Sequence, residues 1–137
     1  MFRTILGVSL LIWSFSVSYA HEVSKQAKAF IISPKDGVTV TNPVKVKFGI
    51  KGYLIAPAGE NIHKAGHYHL LVDLSNELDM DESIPRDNNH FHFDQGEIET
   101  ELNLSPGKHT LQLVVGDEEH EPFEALISEK ITITVTK

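Results

Sequence analysis

Val44-Lys45-Val46-Lys47-Phe48-Gly49-Ile50 alternates apolar residues with lysine or glycine without a break. An extended chain turns successive side chains to opposite faces. Val44, Val46, Phe48 and Ile50 therefore share one face, and this stretch reads as a strand with one buried and one wet side. The same period returns three times. Ile98, Thr100, Leu102 and Leu104 alternate with Glu97, Glu99, Glu101 and Asn103. Leu111, Leu113 and Val115 share a face with His109, and Ile131, Ile133 and Val135 alternate with threonines. Shorter candidates lie at 29–32, 38–40, 68–74 and 91–93. Turn chemistry separates them: Ser33-Pro34-Lys35-Asp36-Gly37, the break at Thr41-Asn42-Pro43, and Ser105-Pro106-Gly107, which is expected to close a hairpin. No stretch of useful length carries a helical period. The expected fold is all-β, an antiparallel immunoglobulin-like β-sandwich over 29–137. The Cys–Trp–Cys core of antibody domains is missing, since there is no Cys and the one Trp is Trp13. Two long connections, 52–64 and 75–89, border histidine pairs, and loops of this length are often functional.

The chain has 137 residues, which suits one domain. Asp plus Glu number 19 against 12 Lys plus Arg, for a net charge of −7, and no basic block occurs. Such a balance argues against nucleic acid or an anionic membrane as partner and suits cations. The lack of Cys removes disulfides, thiolate metal sites and cysteine nucleophiles. Residues 1–20 read as a secretory signal peptide, with Arg3 ahead of an apolar run and Ser18-Tyr19-Ala20 before the cut. The expected product is periplasmic or secreted, has no membrane span after cleavage, and begins with a flexible polar segment, 21–28. Its first residue would be His21, whose imidazole and free α-amine could together chelate a metal.

Eight histidines stand out, and they are clustered. In His67-Tyr68-His69, the two imidazoles lie on one strand face with Cα atoms roughly 6.6–7 Å apart. Rings turning inward from there can share an ion at a metal–nitrogen distance of about 2.0–2.1 Å. His90-Phe91-His92-Phe93 repeats the pattern, and if both phenylalanines enter the core, both histidines leave it together. His67, His69, His90 and His92 are the first candidates as ligands, with His109, His120 and His63 in reserve and His21 joining if the terminus folds back. Nitrogen donors without thiolates suit copper(II) or zinc(II). Asp73, Asp87, Asp94 and Asp117 are placed to accept ring N–H groups behind such a site. The expected function is metal carriage, buffering or sensing, in contact with a metal ion and a periplasmic protein partner. The alternative is a metal-independent module that recognises a protein or cell-wall glycan through its long loops. No Gly-x-Ser-x-Gly elbow, phosphate loop or His-Glu-x-x-His helix points to an enzyme.

Several segments together resemble a family of secreted bacterial domains of unknown function, numbered 4399. They include Asn42-Pro43-Val44-Lys45-Val46-Lys47-Phe48-Gly49, Ala56-Pro57-Ala58-Gly59, Gly66-His67, His69-Leu70-Leu71-Val72-Asp73, Ile84-Pro85, His90-Phe91-His92-Phe93, Pro106-Gly107-Lys108-His109 and Gly116-Asp117 with His120 and Pro122. The resemblance implies an exported β domain with recurring histidines and no established activity. Three positions depart from the family's pattern: Tyr68 stands where a third consecutive His is usual, Asp94-Gln95-Gly96-Glu97-Ile98-Glu99 replaces a Gly-rich stretch, and Phe123 replaces a further His. A looser likeness, on His21 and architecture alone, is to periplasmic copper carriers of β-sandwich type.

Overall fold

The computed structural model describes residues 23–59 and 65–137. The leader, His21 and His63 lie outside the described residues. Among those described there is no helix, and therefore none long and apolar enough to cross a membrane. The strands are β1 (Lys28–Ser33), β2 (Thr39–Thr41), β3 (Val44–Lys51), β4 (Leu54–Ile55), β5 (Ala65–Val72), β6 (His90–His92), β7 (Glu99–Leu102), β8 (Gly107–Gly116), β9 (Pro122–Ile127) and β10 (Ile131–Thr136). They form two sheets. One has the order β1-β3-β7; the other runs β2-β10-β8-β5-β4, with β6 beside β5 and β9 beside β8.

The sheets pack face to face around one apolar core. Val44, Val46 and Phe48 enter it from β3, as their alternation predicts, and meet Tyr68, Leu70 and Val72 of β5 and Leu111, Leu113 and Val115 of β8. The Phe48 ring lies 5.1 Å from that of Tyr68 and 4.7 Å from that of Phe93. Offset aromatic contacts at these separations add to area burial.

Three expectations need correction. Most pairings are antiparallel, but β2–β10 and β4–β5 are parallel. Ser105-Pro106-Gly107 does not close a hairpin: β7 pairs with β3 in one sheet and β8 belongs to the other, so this segment crosses between sheets. Alternating burial cannot distinguish the two, because either sheet buries one face in the same core. The corner residue Asn42 decides it locally. Its side-chain amide donates to Leu104 O at 2.6 Å and its Oδ1 accepts from Leu104 N at 3.0 Å, so these backbone groups are taken before β8 begins. Finally, β7 begins at Glu99 and leaves out Ile98, which is 63% exposed.

Over β5 the second sheet's outer face is not wet. His67, His69 and Leu71 point away from the main core, yet all three are buried. Leu71 and Val114 form a small second core with Ile84, which the 73–89 connection lays across the sheet. Ile84 N donates to His120 O at 2.9 Å and Ser83 Oγ donates to Glu119 O at 3.1 Å, so this connection is tied to the 117–121 turn. The two loops together roof the histidine face.

Candidate metal centre

Strand pairing brings the histidine pairs together. His69 on β5 stands opposite His92 on β6, and His90 stands opposite Leu71. On the other flank of β5, His67 pairs with Gly116 at the end of β8, where the next turn begins. That turn is built by Asp117, whose Oδ1 accepts from Glu119 N and Glu121 N, both at 2.9 Å. It holds His120 at a φ of 64° and delivers its ring over the sheet. One nitrogen from each of His67, His69, His92 and His120 lies within 4.8 Å of the other three. The His69 ring centroid is 4.5 Å from that of His67, 4.4 Å from that of His92 and 5.6 Å from that of His120.

The central ring is His69. It is 0% exposed, and neither of its nitrogens has a hydrogen-bond partner. Buried polar atoms are nearly always paired, so an imidazole left with none is a costly exception. The neighbouring rings are held from behind. His92 Nε2 donates to Pro85 O at 2.6 Å, which fixes the proton there and leaves the Nδ1 lone pair directed at the cluster, buried and unpaired. His67 Nε2 and His120 Nδ1 lie 2.8 Å apart and share a single proton, one donating and the other accepting. A carbonyl that fixes a tautomer from behind is the usual support of a metal-binding histidine.

Burial favours the neutral form of three of the rings. Burial first, then the His120 charge, pushes the His67 pKa down to about 4. Burial, then its histidine neighbours, pushes His69 down to about 2. His92 is lowered mainly by burial. A neutral imidazole is the form that binds metals. Beside them, burial pulls the Asp94 carboxyl up, but the Arg86 hydrogen bond and charge, with the histidines, outweigh it and hold the group below its ordinary value. The Arg86 guanidinium, 57% exposed, sits at the outer side, paired with Asp94 Oδ2 and 3.5 Å from His120 Nε2.

Two of the sequence candidates lie elsewhere. His109 Nδ1 donates to Asp73 Oδ2 at 2.6 Å and its Nε2 donates to Ser105 O at 2.7 Å. Both nitrogens carry protons in that arrangement, so no lone pair remains for a metal. Burial lowers its pKa, but the Asp73 and Ser105 bonds prevail and raise it. His90 shares its strand face with His92, but its Nδ1 is bonded to Asp87 Oδ1 at 2.7 Å and its ring faces a hollow lined by Leu74, Leu78 and Pro85. Of the four aspartates expected behind ligating rings, Asp94 stands at the cluster. Asp73 and Asp87 hold the two histidines that stay apart, and Asp117 builds the turn.

Sequence reasoning passed over Arg86, the Pro85 carbonyl and Gly116. The signal for Gly116 was its place at the end of a strand whose neighbour carries a histidine pair. A Cβ there would lie 2.9 Å from His69 Cε1 and 3.3 Å from its Nδ1. Gly116→Ala is therefore expected to cost about 1–3 kcal/mol by overpacking. Urea unfolding of the metal-free protein reads this directly, and an unchanged midpoint would mean that the ring has room to yield.

The sequence pattern of a family described as domain of unknown function (DUF4399) matches residues 46–136, a span that contains all four clustered histidines. The chain belongs to this family. In this DUF4399 chain, two of the three departures from the family's pattern, Tyr68 and Phe123, fall where the cluster does not need them, and the third begins at Asp94, beside the cluster. Tyr68 points into the core against Phe48, while His67 and His69 point to the opposite face. Phe123 packs against Tyr53, with ring centroids 5.2 Å apart. No curated protein matches the chain. A solved structure of Clostridium thermocellum CbhA fibronectin(III)-like modules is similar, with a TM-score of 0.45 and 14% identity over 80% of this chain and 99% of that one.

Proposed function

We propose that this protein is an exported divalent-metal-binding protein, on an immunoglobulin-like sandwich, that carries, buffers or senses copper(II) or zinc(II) in the periplasm. The observation that carries the reading is His69, a fully buried imidazole with two unpartnered nitrogens and three further histidine rings around it. Folding tolerates such a group where something else gains from it. A cation shared by the four rings supplies that gain, because neutral nitrogens without thiolates suit copper(II) and zinc(II). The signal-peptide reading of residues 1–20 and the acidic balance support export and affinity for cations.

The test is native mass spectrometry on untagged protein purified from the periplasm, followed by thermal melts with added metal. One stoichiometric ion is expected. Metal present at a hundred times its Kd stabilises the folded state by about 2.7 kcal/mol, which raises Tm by roughly 10 °C for a domain of this size. A protein that stays metal-free after incubation with both ions overturns the reading and leaves the loop-borne binding module in its place.

A further inference from the structure

Beside the four rings stands a carboxylate with one oxygen served and the other not. Asp94 opens the turn after β6 and follows Phe93, whose ring is anchored in the core, and its backbone oxygen accepts from Ala58 N at 2.7 Å, so Asp94 is held on both sides. Its Oδ2 is clasped by Arg86. Its Oδ1 is buried without a hydrogen-bond partner, 3.5 Å from His67 Nε2 and 4.0 Å from His92 Nδ1. His92 cannot serve it, because the ring's proton is held on Nε2 by the Pro85 carbonyl. Two lone-pair atoms, His92 Nδ1 and Asp94 Oδ1, thus share one dry space with no proton between them. Such a pair is unfavourable alone and favourable with a cation bound to both, since ligand bonds of about 2.0–2.2 Å bridge that separation.

We propose that Asp94 Oδ1 is a fifth donor to the ion held by His67, His69, His92 and His120, with Arg86 holding its other oxygen. The inference rests on the metal-binding reading above and narrows its cargo. Four imidazole nitrogens and one carboxylate oxygen offer nothing to soft Cu(I), which favours thiolate and thioether. Structural zinc sites almost always close at four ligands. A nitrogen-rich set completed by oxygen suits copper(II), which also stands highest in the divalent affinity order. The cargo class is the oxidised copper ion, taken in preference to zinc.

The test uses copper(II) and zinc(II) salts with the purified chain, competed against a chelator, and electron paramagnetic resonance of the copper form. The wild type is expected to hold copper(II) more tightly than zinc(II). Asp94→Asn is expected to weaken copper(II) binding about 10–100-fold and to change the copper hyperfine splitting. Arg86→Gln, which removes the clasp on Oδ2 but keeps the carboxylate, is expected to weaken copper(II) binding less than Asp94→Asn does. A second measurement needs no variant at this position: copper(II) added to the wild type should shift a carboxylate stretch in the infrared difference spectrum, and the shift should be absent in His69→Leu. If the wild type binds copper while Asp94→Asn matches it in affinity and spectrum, the fifth-donor proposal falls and the four-histidine reading stands. A wild type that takes up neither ion overturns both.

Discussion

Replacing His69 with Leu is expected to give a protein that binds no divalent metal and yet unfolds at a higher urea concentration than the metal-free parent. The two effects come from one cause. His69 lies between His67 and His92 and is buried without a partner for either nitrogen. Leaving a buried polar group unsatisfied costs about 1–3 kcal/mol, and an apolar side chain of similar size recovers much of it. Leu fits because the face already buries Leu71, Val114 and Ile84 next to the cluster. The substitution orphans nothing else, since His67 is bonded to His120 and His92 to Pro85 O. His69→Ala would be the poorer test, because the cavity it leaves carries its own cost. The checks are urea titration after chelator treatment and calorimetric titration with copper(II). A destabilised variant that still binds metal would show that His69 is a structural core residue.

How legible this was varied along the chain. Strict alternation in β3, β8 and β10 placed their core faces, and it set Phe93 and His92 on opposite sides. The pair His67 and His69 was legible for the same reason, because period two holds wherever one face is buried. What alternation cannot give is the neighbour. Strand β9 has the burial pattern of a half-exposed edge and shows no clean period, so its pairing with β8 was invisible. Likewise, His90 and His92 have equal claims in sequence, and only the Asp87 bond to one and the Pro85 bond to the other separate them. In sequence, His109 reads as a reserve ligand on the face of a strand. Asp73, at a φ of 53°, leaves β5 and turns its carboxylate onto that ring, which no periodicity reports. His120 belongs to the cluster through a turn whose geometry Asp117 sets, so sequence spacing alone could only hold it in reserve.

The metal-free protein is expected to lose stability steeply as pH falls from about 6.5 toward 4, and bound metal is expected to flatten that loss. The sign follows from the folded pKa values. His67 titrates near 4 in the fold and near 6.5 when unfolded, so in that window the unfolded chain binds a proton that the native chain refuses. Each refused proton costs about 1.4 kcal/mol per pH unit, so His67 alone removes roughly 3 kcal/mol across the window. His69 acts in the same direction and continues to lower pH. The raised His109 opposes them only above pH 6.5, where its Asp73 pair is lost as pH rises through its folded value. Below that, it is protonated in both states and contributes no slope. Asp87 and Asp94 are lowered in the fold, so their contribution is present above about pH 4 and fades beneath it. Domains of this kind are commonly stable by about 5–15 kcal/mol, so losses of this size move a midpoint visibly. Metal changes the balance because its ligands must be deprotonated, and His67, His69 and His92 are held in that form by burial. The loaded protein should hold its ion well below the pH at which free imidazoles take up protons. Urea midpoints at half-unit steps from pH 7.5 to 4.5, with and without copper(II), give the two curves. His69→Leu should show a shallower metal-free slope than the parent, because one of the refused protons is gone. A flat metal-free curve over this range would mean that the cluster accepts protons in the folded state and opens to water as it does so. In that case neutral nitrogens would not be waiting for an ion.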